Sequence, residues 1–320
     1  MKYRRFGRTN WMVSEIGYGM WGMASWTGSE DEESLRSLQM AVDLGCNFFD
    51  TAWAYGEGHS EQLLGQIVKN NPDKKLYVAT KIPPKNGRWP ARSEYNLEDC
   101  YPPEYIEESI HKSLGKLGLE SMDLIQFHTW DDSWVRDDRW YRKLSELRSQ
   151  GLIQAVGISL NRWEPWNGVE AVRSGMVDAV QVVYNVFDQN PEDELFPACR
   201  EMDAAVIVRV PFDEGSLTGT LTSETIWPED DWRNRYFSSE NLKATVARVD
   251  ALKQALPPGM TLPELALRFI LADPAVSTII PGMRRPTHVK VNLATSDAGP
   301  LSDELMAELR KHRWVRLQKP

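Results

Sequence analysis

Short apolar or β-branched runs alternate along the chain with stretches whose apolar residues recur at helical spacing, and this alternation predicts successive strand–helix units. The predicted strands cover residues 16–18, 47–52, 76–81, 122–128, 153–159, 179–184, 205–210 and 276–280. Helices fit between them. In the first, Ser29 and Glu32 make a capping-box pair, Leu35, Leu38, Ala41 and Val42 form an apolar stripe, and Gly45 is the stop. Ile106, Ile110, Leu114 and Leu117 line a helix face before the fourth strand; Trp140, Leu144 and Leu147, ended by Gly151, line another before the fifth. Residues 3–14, with Gly7 and Asn10, suit a hairpin, and residues 303–312 read as a closing helix on the outside. Eight such units in a chain of this length predict the α/β class: a (β/α)8 TIM-type barrel with an N-terminal hairpin and a C-terminal helix, one domain over residues 1–320.

Composition narrows the partners. With 42% hydrophobic residues the chain can bury a large core, and a net charge of −9 argues against nucleic acid or an anionic membrane and for a small molecule. The three cysteines, Cys46, Cys100 and Cys199, show no CxxC spacing, so neither a disulfide framework nor a zinc site is suggested. No apolar signal region follows the basic N-terminus and no apolar run reaches membrane-spanning length, so the expected location is the cytoplasm.

Chemistry collects where the strands end. Asp50, Lys81, His128 and Ser159 close predicted strands, and Gln181 and Arg209 lie within two more. In a barrel the C-terminal strand ends meet at one mouth, the usual active face. Any one of these residues has an ordinary reading as a polar strand exit; six together do not. Gly56-Glu57-Gly58 lacks the third glycine of a Rossmann turn, and the five histidines lack HExxH spacing, so no metal is expected. Two long connections, residues 83–102 and 211–239, suit functional loops.

The run Asp50-Thr51-Ala52-Trp53-Ala54-Tyr55-Gly56-Glu57-Gly58-His59-Ser60-Glu61-Gln62-Leu63-Leu64-Gly65 resembles the signature of the aldo-keto reductase superfamily. Ala79-Thr80-Lys81, Met122 to His128, Gly157-Ile158-Ser159, Gln181 to Asn185, Gly215-Ser216-Leu217-Thr218-Gly219 and Ile280-Pro281-Gly282 follow in the family's order. The resemblance implies an oxidoreductase that reversibly reduces an aldehyde or ketone by hydride transfer from NAD(P)H, with a catalytic tetrad of Asp50, Tyr55, Lys81 and His128. Tyr55 would be the proton donor, made more acidic by the Lys81 ammonium; Asp50 would keep Lys81 charged, and His128 would orient the carbonyl oxygen.

For the cofactor, the resemblance implies contacts from Met20, Trp21 and Asp50. Ser159, Asn161 and Gln181 would meet the carboxamide, although the family's adjacent Ser-Asn is here Ser159-Leu160-Asn161. Arg209 stands where an aromatic often stacks on the nicotinamide. Pro211, Phe212, Gly215 and Leu217 would cover the pyrophosphate, and Gly282, Met283, Arg284, Arg285, His288 and Asn292 would receive the adenosine end, which favours NADP over NAD. The substrate, a small carbonyl compound or sugar, would lie against Trp21, Trp53, Tyr55, Trp89, His128 and Trp130. Relatives include monomers and larger assemblies, so an oligomer is possible. Two rival readings are a cofactor-binding regulatory subunit acting through a protein partner, and a barrel hydrolase using Asp50 and His128, for which no nucleophile or metal is evident.

Overall fold

The structure, a computed structural model, describes residues 1–24, 28 and 30–315; Ser29, the predicted cap of the first helix, lies outside the described residues. Strands β1 (Tyr3–Phe6) and β2 (Trp11–Ser14) pair antiparallel, with Gly7 and Asn10 both at positive φ in the turn. Eight parallel strands follow in sequential order: β3 (Tyr18–Gly19), β4 (Phe48–Asp50), β5 (Tyr77–Ile82), β6 (Met122–Phe127), β7 (Ile153–Ser159), β8 (Ala179–Val183), β9 (Ala205–Arg209) and β10 (Val276–Ile279). Parallel bridges Ile16↔Ile279 and Gly19↔Gly282 bring the last strand back to the first, giving the (β/α)8 barrel that the alternation predicts.

The first barrel strand is shorter than its apolar run suggests, because the seam is closed by close backbone approach. A Cβ on Gly19 would stand 2.4 Å from the Ile280 carbonyl oxygen. Glycine is required there, and it leaves little side chain for a hydrophobic pattern to register.

The helices α1 (Asp31–Asp43), α2 (His59–Asn70), α4 (Pro103–Leu117), α5 (Arg139–Ser149), α6 (Val169–Arg173) and α7 (Leu195–Met202) connect β3 through β9. The short α3 (Leu97–Cys100) lies in the long connection after β5. The passage from β9 to β10 carries α8 (Arg233–Tyr236), α9 (Ser239–Ala255) and α10 (Leu262–Leu271); α11 (Pro286–Ala294) and α12 (Asp303–Arg310) complete the chain. In α1 the first turn holds Asp31, Glu32 and Glu33, which suits the positive helix terminus.

Two apolar layers hold the barrel together, and a separate cluster of Tyr236, Phe237 and Leu242 packs the passage after β9. The larger lies between the strands and the helices. The smaller fills the N-terminal end of the barrel with Phe48, Tyr77, Ala79, Leu124, Ala155, Ala179, Ala205 and Ile207, capped by Phe6, Val13 and Trp11 of the hairpin. Small alanines from alternate positions leave room for the Phe6 ring, which lies 5.3 Å from that of Phe48. The hairpin is thus the floor of the barrel, and the opposite end is left for chemistry.

Candidate active site

Side chains alternate faces along a strand, so the strands that present this apolar floor present, two residues on, the next layer up. Phe48 is followed by Asp50, Ala79 by Lys81, Leu124 by Gln126, Ala155 by Gly157 and then Ser159, Ala179 by Gln181, and Ile207 by Arg209. The pairings Lys81↔Gln126, Gln126↔Gly157 and Ser159↔Gln181 put these residues side by side. The barrel interior therefore changes from apolar to polar toward its C-terminal mouth.

At the centre of that layer Lys81 Nζ donates to Asp50 Oδ1 at 2.5 Å and to the Thr51 carbonyl at 2.7 Å. Lys81 is 0% and Asp50 2% exposed. Two charges so far from water persist together because each is the other's counter-ion. The same ammonium lies 5.2 Å from the centre of the Tyr55 ring.

Tyr55 is delivered by a tight turn between β4 and α2, in which Tyr55 N–H donates to Ala52 and Gly58 N–H to Trp53. Gly58 sits at φ +87°, and a Cβ there would press on Lys116 at 2.8 Å, so the turn needs glycine on two counts. A hydrogen bond between the hydroxyls of Thr51 and Ser60, 2.8 Å, ties the strand end to the first turn of α2.

His128 packs edge-on against both Tyr55 (ring centres 5.7 Å apart) and Trp89 (4.6 Å). Burial, reinforced by the positive charges of Lys81 and Arg209, holds the His128 pKa well below its ordinary value, so the imidazole is neutral at physiological pH. Its Nδ1 is enclosed without a protein partner. Tyr55 departs from the sequence expectation. Burial pushes its pKa up; Lys81 pulls back, Asp50 adds to the rise, and Arg209 opposes it, with the balance still upward. The ammonium limits a desolvation penalty and does not carry the phenol below its ordinary range.

The second oxygen of Asp50 is held by residues from two further strands. Gln126 Nε2 donates to Asp50 Oδ2 at 3.0 Å, and Gln181 Nε2 donates to the same oxygen at 2.8 Å and to Gln126 Oε1 at 3.2 Å. This alters the expectation for Gln181, whose amide protons serve the protein and leave its carbonyl oxygen for a ligand. Gln126 was not singled out from sequence; its one signal was a polar residue within the apolar run of β6.

Around the cofactor side the structure redistributes several expected contacts. Asn161 donates to Ala91 O at 3.0 Å and to Glu164 at 2.8 Å and accepts from Ala91 N–H at 3.1 Å, so it ties the loop after β5 to the exit of β7 and has little left for a carboxamide. Met283 is buried, and its carbonyl accepts from Tyr18 Oη (2.7 Å) and Ser37 Oγ (2.9 Å), which anchors the chain ahead of α11. Met20, Leu217 and Asn292 are likewise buried, and Met20 N–H donates to Asp50 O. Ser159 is 3% exposed at the end of β7, Pro211 is buried and Phe212 half-buried in the loop after β9, while Gly282, Arg285 and His288 lie open and Arg284 is half-buried beside α11.

The loop after β9 turns sharply, with Val210, Asp213, Glu214 and Gly215 all at positive φ. The Asp213 carboxylate accepts from Ser216 Oγ and from Tyr236 Oη. Arg162, missed from sequence, pairs with Glu214 and lies 4.5 Å from the centre of the Tyr236 ring. Burial, with the nearby charge of Arg162, pushes the Arg209 pKa down to about 10. Arg209 Nη2 donates to Leu160 O at 2.9 Å, while its Nε and Arg162 Nη1 are enclosed without partners, as donors awaiting an acceptor would be.

Three of the expected wall tryptophans keep accessible surface. Trp21 is 45% and Trp89 50% exposed; Trp53 is half-buried, with the Lys116 ammonium 5.9 Å from its ring centre, and Trp232 meets the edge of Trp21 at 6.5 Å. Trp130 does not. It is fully buried among Phe127, Trp134 and Trp140, and its indole N–H donates to Asp132 at 2.8 Å. Nearness to His128 along the chain suggested a wall; the aromatic cluster outside the strands claims the ring.

Among the described residues no helix is long and apolar enough to cross a membrane. The chain is 30% identical to the NADH-specific methylglyoxal reductase of Escherichia coli, with 96% of this chain and 99% of that protein covered. Among solved structures it is similar to the holo form of an aldo-keto reductase from Bacillus halodurans (TM-score 0.76, 28% identity, 98% and 96% of the two chains). It is also similar to a glycerol dehydrogenase from Gluconobacter oxydans (TM-score 0.80, 27% identity, 97% and 94%). The aldo/keto reductase family profile matches residues 15–313, and with a polar constellation of this kind at the mouth of a (β/α)8 barrel the chain belongs to that family of nicotinamide-dependent oxidoreductases.

Proposed function

We propose that the protein reduces small aldehydes or ketones to alcohols with NADPH in preference to NADH, and that Tyr55 protonates the carbonyl oxygen. The observation that carries this reading is the buried Asp50–Lys81 pair, 2.5 Å apart, with its ammonium 5.2 Å from the Tyr55 ring and a neutral His128 beside it. The residues present fit a dinucleotide: the enclosed, unpartnered Arg209 Nε and Arg162 Nη1 lie near Ser159 and the loop after β9, where a Cβ on Gly215 would meet nothing. When bound, the cofactor supplies the hydride that adds to the carbonyl carbon.

The protein's own groups manage the charge that develops on oxygen. Tyr55 gives its proton to that oxygen, and Lys81, held charged by Asp50, stabilises the phenolate left behind. His128, being neutral, carries a proton on one ring nitrogen and can donate it as a hydrogen bond without competing as a cation with Lys81. Arg284 and Arg285, ahead of α11, supply the charge that a 2′-phosphate needs. Trp21, Trp53 and Trp89 offer flat apolar faces suited to a small dicarbonyl, an aromatic aldehyde or a sugar.

The test is a tryptophan-fluorescence titration with NADPH and NADH, followed in the same sample by methylglyoxal, an aromatic aldehyde and an aldose. Saturable quenching and aldehyde-dependent oxidation of NADPH are expected. The Tyr55→Phe variant should bind the dinucleotide as before and turn over at least about 10²-fold more slowly. Undiminished turnover in that variant would remove Tyr55 from its role, and the absence of quenching by either dinucleotide would end the cofactor assignment.

A further inference from the structure

We infer that Gln126 is a positioning residue for carbonyl reduction: with Gln181 it locks the outer oxygen of Asp50, so that the inner oxygen is held on Lys81. The inference rests on the tetrad reading above. An ionised carboxylate only accepts hydrogen bonds, so the amide group of each glutamine that faces Asp50 Oδ2 must be its NH2. Gln126 reaches Oδ2 at 3.0 Å and Gln181 at 2.8 Å, and the 3.2 Å bond from Gln181 to Gln126 Oε1 joins them into one unit. Gln126 is 1% and Gln181 2% exposed.

The donor type suits the task. A cation at Oδ2 would compete with Lys81 for the carboxylate, and an apolar side chain would leave that buried oxygen with Gln181 as its one remaining amide donor, itself no longer braced by Gln126, and the carboxylate freer to rotate. Neutral amides satisfy Oδ2 and leave the charge to Lys81. The neighbouring strand accommodates this arrangement. Gly157, in register with Gln126, would carry a Cβ 3.0 Å from Gln126 Cγ, so any larger residue there would crowd the amide.

The experiment compares Gln126→Glu and Gln126→Leu with the parent protein, measuring kcat with NADPH and methylglyoxal between about pH 5.5 and 9. The charged and titratable groups around Asp50 and the substituted position are Lys81, Tyr55, the neutral His128 and Arg209, with Glu61 behind β5. In Gln126→Glu two carboxyl groups stand about 3 Å apart and share one proton. While it is shared, the protonated group donates to Asp50 as the amide did, and kcat stays within about threefold of the parent. As pH rises and that proton leaves, the two charges repel, and kcat relative to the parent falls by at least about tenfold. Gln126→Leu should lose about tenfold to hundredfold in kcat at every pH, with NADPH quenching unchanged within about twofold.

A Gln126→Glu-to-parent ratio independent of pH, or full kcat in Gln126→Leu, overturns the inference. If Gln126→Leu does not fold, the near-isosteric Gln126→Glu, checked by NADPH quenching, decides alone. Tyr55→Phe in the same assay separates the two claims: retained turnover there sinks the tetrad reading itself, whereas loss there with a flat Gln126→Glu ratio sinks only the role of Gln126.

Discussion

Replacing Lys81 by Met removes a charge from the least accessible part of the site and should affect stability and turnover for different reasons. Lys81 is fully buried and holds Asp50 at 2.5 Å and the Thr51 carbonyl at 2.7 Å. Lys81→Met leaves the Asp50 carboxylate buried with only the two glutamine amides, and breaking a buried pair in this way costs about 3–5 kcal/mol. Turnover should fall through the loss of phenolate stabilisation at Tyr55. With the ammonium 5.2 Å from the ring and an effective dielectric of about 20, the lost attraction is about 3 kcal/mol, or roughly two-hundredfold in rate. Urea unfolding followed by fluorescence gives the first quantity, and NADPH oxidation with methylglyoxal gives the second. Adding Asp50→Asn to Lys81→Met removes the orphaned charge, so the double variant should regain about half or more of the lost stability and none of the activity. A double variant no more stable than Lys81→Met would refute the charge-balance argument, and more than a tenth of parental kcat in Lys81→Met would refute the catalytic one.

Because the folded-state pKa of His128 is depressed below about 6.5, its neutral form contributes stability that is present above that pH and lost as pH falls. Each pH unit below 6.5 should cost about 1.4 kcal/mol until the native imidazole itself titrates, a slope that unfolding measurements on His128→Gln should show reduced by that amount. Combining Arg284→Ala with Arg285→Ala should weaken NADPH binding by at least about tenfold and leave NADH binding within about twofold, as read by fluorescence titration; equal losses would place the arginines elsewhere than at a 2′-phosphate. Gly65→Ala would put a Cβ 2.1 Å from the Leu117 carbonyl oxygen, where α2 crosses the end of α4. It should lower unfolding stability by about 3 kcal/mol despite alanine's better helix propensity, and a neutral result in urea would mean that the two helices part more readily than their packing suggests.

Periodicity and motif together determined the barrel and the strands that carry the polar layer at its mouth. Alternation with period two puts Asp50, Lys81, Gln181 and Arg209 on the same face as the apolar residues beneath them, Phe48, Ala79, Ala179 and Ile207, and the run from Asp50 to Gly65 identifies the turn that delivers Tyr55. What tertiary structure alone decided is the allocation of hydrogen bonds and of burial among those residues. Gln181 and Asp50 are 131 positions apart, and Asn161 and Ala91 are 70 apart, so no local pattern could show that these amides are committed to protein partners. Trp130 shares its neighbourhood in the chain with His128, yet the aromatic cluster of Trp134 and Trp140 removes it from the mouth. The proton affinity of Tyr55 was decided in the same way: a neighbouring lysine can be named from sequence, but the desolvation that outweighs it depends on how every surrounding element closes over the ring. Residue type and spacing determine which groups are present and which way a strand points them, whereas competition among distant partners for a limited set of donors, acceptors and solvent is settled only when the chain has packed.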